Sequence, residues 1–226
     1  MITQLISFLE QFSADGRRLQ FLDVAKQRTR YLTIVLEDIY QTQNASAVLR
    51  SCDCFGVQDV HIIENRNSFN INPQVVIGAT KWLHLHRYNE EKNNTRQALR
   101  KLKDDGYRIV ATSPHHNDVD LEALNLHNGK LAVVFGNERD GISEIVKEEA
   151  DEFMKIPMFG FSESLNISVC TAISIQHITS QLRNSEISWQ LPNNQLNELY
   201  LEWLKKSIKK SGLLIEEFNK RNNTNF

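Results

Sequence analysis

The side chains best equipped for chemistry fall in three short stretches. NASAVLR carries Asn44 and Arg50; GNERDG holds Asn137, Glu138, Arg139 and Asp140 between Gly136 and Gly141; IPMFGFSESLNISV presents Ser162, Ser164 and Asn166. If Asn44 starts a helix, Arg50 lies nearly two turns on and both can face one groove. Ser162, Ser164 and Asn166 are short polar residues of the kind that accept hydrogen bonds from the free N–H groups of a helix's first turn. GNERDG is not the GxGxxG turn of a dinucleotide site, and the acid after the second strand, Glu64, comes too early to meet a ribose. That weighs against a nicotinamide enzyme. Each stretch alone also has a purely structural reading: a capping Asn with a surface Arg, a strand-to-helix connection, and a capped core helix.

The elements that must position these residues follow from periodicity. Pro157 lacks a backbone donor and Gly160 tolerates positive φ, so the chain leaves its last strand, Phe153–Ile156, and forms a loop. From Leu165 the apolar residues fit both an alternating strand and a helical stripe. The run reaches Arg183 without a turn signal, too long for a strand, so the spacing predicts a helix. Upstream, strands are predicted at Tyr31–Leu36, Val60–Ile63, Trp82–His86, Tyr107–Thr112 and Lys130–Phe135, with helices over 45–56, Thr95–Lys103 and Ser143–Ala150. Alternating strands and helices imply an α/β domain over 31–183, a mostly parallel sheet with helices on both faces. Ligands of such sheets bind beyond the carboxyl ends of the strands, here the loops after Leu36, Thr112, Phe135 and Ile156. Residues 1–30 read as an amino-terminal helical extension: Ile2, Leu5, Ile6 and Leu9 at helical spacing, a turn near Asp15-Gly16, then a basic helix over Arg17–Gln27. Residues 184–226 read as a polar linker, an amphipathic helix over Gln195–Ile208 and a fraying tail after Asn219.

With 226 residues and 41% hydrophobic content, the chain can build an ordinary core. No window approaches the ~18 consecutive apolar residues of a membrane span. MITQLISFLEQF lacks the basic leader of a signal peptide, so the expected location is the cytoplasm, with no membrane partner. Three cysteines, Cys52, Cys54 and Cys170, argue against a disulfide framework. No Cys/His set has zinc spacing, and the adjacent His115 and His116 lack further ligands, so no metal is expected. The net charge of −2 is silent about nucleic acid, but its distribution is not. Arg17, Arg18, Lys26, Arg28 and Arg30 crowd one segment, and Lys205, Lys206, Lys209 and Lys210 another. Such clusters are either solvated helix faces or phosphate-contacting arms flanking a neutral core.

In this order and at these spacings, NASAVLR, VVFGNERDGIS and IPMFGFSESLNISV resemble the three motifs of the SpoU-type RNA ribose 2′-O-methyltransferases of the SPOUT superfamily. The likeness extends through IGATKWLHLH and the terminal EWLKKSI, and so covers nearly the whole chain. The resemblance implies S-adenosylmethionine as methyl donor, a carboxyl-terminal trefoil knot to hold it, and a homodimer with its sites near the subunit interface. The members closest in layout methylate the D-loop guanosine at position 18 of tRNA and carry helical extensions at both ends. One departure stands out: where those enzymes commonly read GMVQSLN, this chain has GFSESLN, altering the edge of the cofactor and guanosine site.

Carried over by motif position, Arg50 meets the ribose hydroxyl, with Asn44 fixing its orientation. A guanidinium stays protonated at neutral pH, so the fitting role for Arg50 is to bind substrate phosphate and stabilise the developing alkoxide. Ser164 and Asn166 are placed to meet the target nucleotide or hold Arg50, and Glu138 to shape the cofactor loop. Thr112, Gly136, Ile156 and Leu165 would line the S-adenosylmethionine pocket, largely through backbone groups. Arg17, Arg18, Lys26, Arg28 and Arg30 would bind tRNA. Two other readings remain open: the same chemistry on another RNA, and a catalytically silent RNA-binding homologue.

Overall fold

A computed structural model describes residues 2–113 and 118–222, so His115 and His116 lie outside the described residues. The chain divides into two compact units, one built from residues 29–189 and the other from 1–28 together with 190–226.

The larger unit is a seven-stranded sheet. Its strands are β1 (Leu32–Glu37), β2 (Asp59–Ile63), β3 (His84–Tyr88), β4 (Arg108–Thr112), β5 (Val119–Asp120), β6 (Leu131–Phe135) and β7 (Glu152–Lys155), in the spatial order β3-β2-β1-β6-β4-β7-β5. Every pairing is parallel. The central strands β1, LTIVLE, and β6, LAVVF, are buried along their whole length, because both faces of the sheet are covered. On one face α3 (Thr42–Phe55) and α7 (Ile167–Arg183) set Val48, Leu49, Ile175 and Ile178 against Ile34, Ile62 and Val133. On the other, α5 (Thr95–Asp104) and α6 (Glu144–Glu149) bring Ala98, Leu99, Leu102 and Val146 onto Val35, Ile109 and Val134. The expected parallel sheet with helices on both faces is therefore present.

Some boundaries differ from the sequence reading. β3 starts two residues later than Trp82, because Trp82 ends a short helical turn, Ala79–Lys81, that follows the four-residue helix α4 (Pro73–Val76). α3 begins at Thr42, so Asn44 lies inside its first turn and is not its cap.

The smaller unit packs four helices: α1 (Ile2–Glu10), α2 (Asp15–Lys26), α8 (Asn193–Ser207) and α9 (Ser211–Asn222). Asp15-Gly16 opens α2 rather than separating it from α1; the break falls at 11–14. Its core sets Leu5, Leu9 and Phe21 with Leu199, Trp203 and Leu204, all buried. The tail after Asn219 continues α9 to Asn222 instead of fraying there, since Phe218 is buried and packs against Phe8, ring centroids 5.4 Å apart.

Candidate active site

β6 delivers the chain to Gly136, where no side chain fits: a Cβ there would lie 2.1 Å from the carbonyl carbon of Gly141. The loop closes on itself through Asn137 N donating to Gly141 O at 2.8 Å and Gly141 N to Asn137 O at 2.9 Å, with Gly141 at φ +71°. This tight loop holds the Glu138 carboxylate over the start of α3. Its Oε2 accepts from Tyr40 N at 2.9 Å; its Oε1 accepts from Gln41 N at 3.1 Å and from Asn44 Nδ2 at 3.0 Å. The residue before α3, Gln41, makes no side-chain cap of its own, so Glu138 supplies the anion that a helix start favours. Burial works against the charge of Glu138, but these hydrogen bonds outweigh it and hold the carboxyl below its ordinary range.

Asn44 passes the chain of contacts on. Its Oδ1 accepts from Asn166 Nδ2 at 3.1 Å, while Asn166 Oδ1 accepts from Ser168 N at 2.9 Å and caps α7. Helix capping and contact with the first motif thus coexist in Asn166. One residue from each of the three motif stretches is joined in the sequence Glu138–Asn44–Asn166. Asn44 bonds Gln41, Glu138 and Asn166, and among the described residues no hydrogen bond joins it to Arg50.

Arg50 lies six residues beyond Asn44, about 120° around the helix axis. Asn44 is buried and Arg50 is exposed, so they do not share a face. Among the described residues, the Arg50 side chain has no hydrogen-bond partner, and neither does that of Ser164, also exposed. Thr112, Gly136 and Ile156 stand at or just beyond the carboxyl ends of β4, β6 and β7, which are neighbours in the sheet. Thr112 Oγ1 donates to Val134 O at 3.0 Å, and Ile156 packs against the core. Beyond them, the backbone of 157–165 makes no hydrogen bond within the described residues. Phe159 and Phe161 are fully exposed there, and Leu165 is 37% exposed. Free backbone donors and acceptors beside apolar side chains suit a ligand with both a heteroaromatic ring and polar edges. Among the described residues no group of His, Cys, Asp and Glu could hold a metal ion.

Two contributors escaped the sequence reading. Asp38, at φ +57°, accepts from the backbone N–H of Asn65, Arg66 and Asn67 at 2.8–3.0 Å. Its carbonyl accepts from Asn137 Nδ2 at 2.7 Å, which ties the loop after β1 to the loop after β6. Buried Glu37 accepts from Ser143 N and Oγ and from Thr95 Oγ1, locking α6 and α5 to β1. The only local signal was an acidic pair following an apolar strand.

The SpoU rRNA Methylase family model matches residues 31–176. The chain belongs to this family. Among SpoU relatives, the tRNA (guanosine(18)-2′-O)-methyltransferase of Borreliella burgdorferi is 40% identical over 92% of this chain and 93% of its own length. The protein so named from Thermus thermophilus is 32% identical over 70% and 79%. The crystal structure of the A. aeolicus TrmH/SpoU tRNA modifying enzyme superposes with a TM-score of 0.76 at 26% identity, covering 87% of this chain and 98% of that one. In this SpoU methylase the matched region spans all three motif stretches.

The basic residues expected to bind RNA fare unequally. Arg28 is 2% exposed, its guanidinium over the Trp203 ring at 5.4 Å, out of reach of a phosphate. Arg30 is engaged with Asp59 at 2.7 Å and with His84 at 3.1 Å. Arg18 pairs with Asp15 and donates to Glu10 O. Arg17 and Lys26 are exposed.

Proposed function

We propose that this SpoU methylase transfers a methyl group from S-adenosylmethionine to the 2′-hydroxyl of a tRNA ribose, that of guanosine 18 in the D-loop. The observation that carries the reading is the Glu138–Asn44–Asn166 connection, which joins the three motifs at the carboxyl edge of a parallel sheet. The names of the relatives supply the substrate.

When bound, S-adenosylmethionine supplies an electrophilic methyl group on a sulfonium, and the reaction then requires in-line placement of the hydroxyl and loss of its proton. Thr112, Gly136, Ile156 and Leu165 would hold it, with the free backbone of 157–165 providing polar contacts. Arg50, exposed and with no side-chain partner among the described residues, grips substrate phosphate and stabilises the developing alkoxide. Glu138, Asn44 and Asn166 are positioning residues: they fix the loops on which the cofactor and nucleotide rest. Ser164 faces the nucleotide, and Arg17 and Lys26 contact tRNA phosphates.

Two finer features complete the reading. The loops around the site form a trefoil knot, and two subunits pair through it and through the outward face of α7, where Val169 is 46% and Ile173 39% exposed. The protein works in the cytoplasm; among the described residues no helix is long and apolar enough to cross a membrane. The deciding experiment is transfer of labelled methyl groups to an unmodified tRNA transcript and to one with 2′-deoxyguanosine at position 18. Incorporation should vanish in the second. Equal incorporation would move the target to another nucleotide, and none in either would remove tRNA as the substrate.

A further inference from the structure

The smaller unit carries ten Lys and Arg against seven Asp and Glu, a formal +3 in a chain whose net charge is −2. With Arg28 buried and Arg18 paired, exposed cations remain singly at Arg17, Lys26 and Lys220 and as an adjacent pair at the α8–α9 junction. Lys206 is held by Glu202 at 2.5 Å, whereas the side chains of Lys209 and Lys210, both exposed residues, have no partner among the described residues. Lys210 takes a left-handed φ of +57°, and Leu213 N donates back to its carbonyl at 3.0 Å, so the junction is a defined turn. Beside it opens a notch of about 390 Å³ lined by Phe12, Ile208, Lys209, Lys210, Leu213 and Leu214. Phe12 is 48% and Leu213 60% exposed, and the Phe12 ring is set by an edge contact with Phe8, centroids 5.3 Å apart.

We propose that this notch receives one unstacked base of the RNA substrate, stacked against Phe12, with the flanking phosphates on Lys209 and Lys210. The inference rests on the methyltransferase reading above and names a contact outside the motif residues. An aromatic face with adjacent cations is the combination that binds single-stranded nucleotides without regard to sequence. A second copy of the chain is a poor occupant: six lining residues fall far short of the ~20–30 per side in a stable protein interface. Two unpaired lysines at the rim would also have to be desolvated there without gain.

The test uses the full-length protein and an unmodified tRNA transcript, with affinity measured across a salt series. The variants are Phe12→Leu, Lys209→Gln with Lys210→Gln, and Lys92→Gln as a surface control, each checked for an unchanged melting curve. Phe12→Leu should weaken binding about tenfold with the salt slope preserved, since a stacking contact releases no counterions. Should Phe12→Leu melt early, Leu213→Gln takes its place at an exposed position. The lysine pair should flatten the log–log slope by about 0.7 per lysine, the single-strand value. Lys92→Gln should behave as wild type. If wild type binds and methylates tRNA while the notch variants match it, the notch inference falls and the enzyme assignment stands. Wild type that neither binds nor methylates tRNA overturns both. Loss of self-association in Phe12→Leu, seen by sedimentation, would give the notch to a second copy and refute the inference.

Discussion

Glu138 reaches from the β6 loop to the first turn of α3, and its charge is what Tyr40 N, Gln41 N and Asn44 Nδ2 bind. Its carboxyl is depressed in the folded chain below its ordinary 4.5. Its stabilising contribution is therefore complete above that value and disappears as pH falls through the lower, folded one. Glu138→Gln should be less stable than wild type by about 1 kcal/mol at pH 7, and urea titrations should show the gap closing once the pH has fallen well below 4.5. A gap of equal size at both pH values would show that shape rather than charge matters. For Arg50→Ala, methyl transfer should be lost with little change in methyl-donor affinity, because among the described residues the Arg50 side chain makes no hydrogen bond to the loops that would hold the donor. Titration calorimetry beside a turnover assay separates the two, and near-normal turnover would take Arg50 out of the mechanism. Motif position singled out Asn44, Glu138 and Asn166 one by one, each with its own role; that they bond to one another is visible only in the fold. That Asn44 reaches Glu138 and Asn166 depends on α3 beginning at Thr42, three residues before the start read from the sequence.

The β-branched and apolar runs of β1 and β6 were plain in the sequence because a strand buried on both faces has no reason to alternate. α9 was not, since SGLLIEEFNKRN has one buried residue, Phe218, and its fit depends on Phe8 at the other end of the chain. The cap of α7 offers a direct check at this scale. Asn166→Ala should cost about 1 kcal/mol and also release the Asn44 contact, so the loss should exceed that of Asn72→Ala, the cap of the short helix α4, whose side chain accepts from Gln74 N at 3.0 Å. Equal losses in thermal melts would reduce Asn166 to a cap alone. At the β2–β3 edge, burial and the neighbouring His86 push His61 down to about 4; its ring bonds Tyr88 at 2.9 Å and stacks on His86. A histidine kept neutral in the fold favours it above the unfolded value near 6.5, and that preference is lost as pH falls toward 4. Replacing His61 by Asn should remove the acid sensitivity between pH 6.5 and 4; an unaltered pH profile would assign it elsewhere.

At the scale of the molecule, the proposed pairing of subunits predicts that Val169→Glu with Ile173→Glu yields a folded monomer lacking methyl transfer, resolved by sedimentation with circular dichroism as the fold check. A dimer that survives both charges would place the interface away from α7. The division into units was the least legible feature, because nothing near Phe21 announces that its ring meets Trp203, centroids 5.8 Å apart. It took the burial of Arg28 with it: among cations in sequence it looked like surface, and in space it lies over Trp203. Because the smaller unit is assembled from residues 1–28 and 190–226, synthesis cannot complete it in one pass. At ~5–20 residues per second, the ribosome spends roughly 10–30 s on the intervening segment while Leu5, Ile6, Leu9 and Phe21 wait without α8. α1 and α2 thus emerge before the larger unit yet are covered only after it, and for that interval the nascent chain offers a hydrophobic stripe to whatever chaperone stands at the exit tunnel.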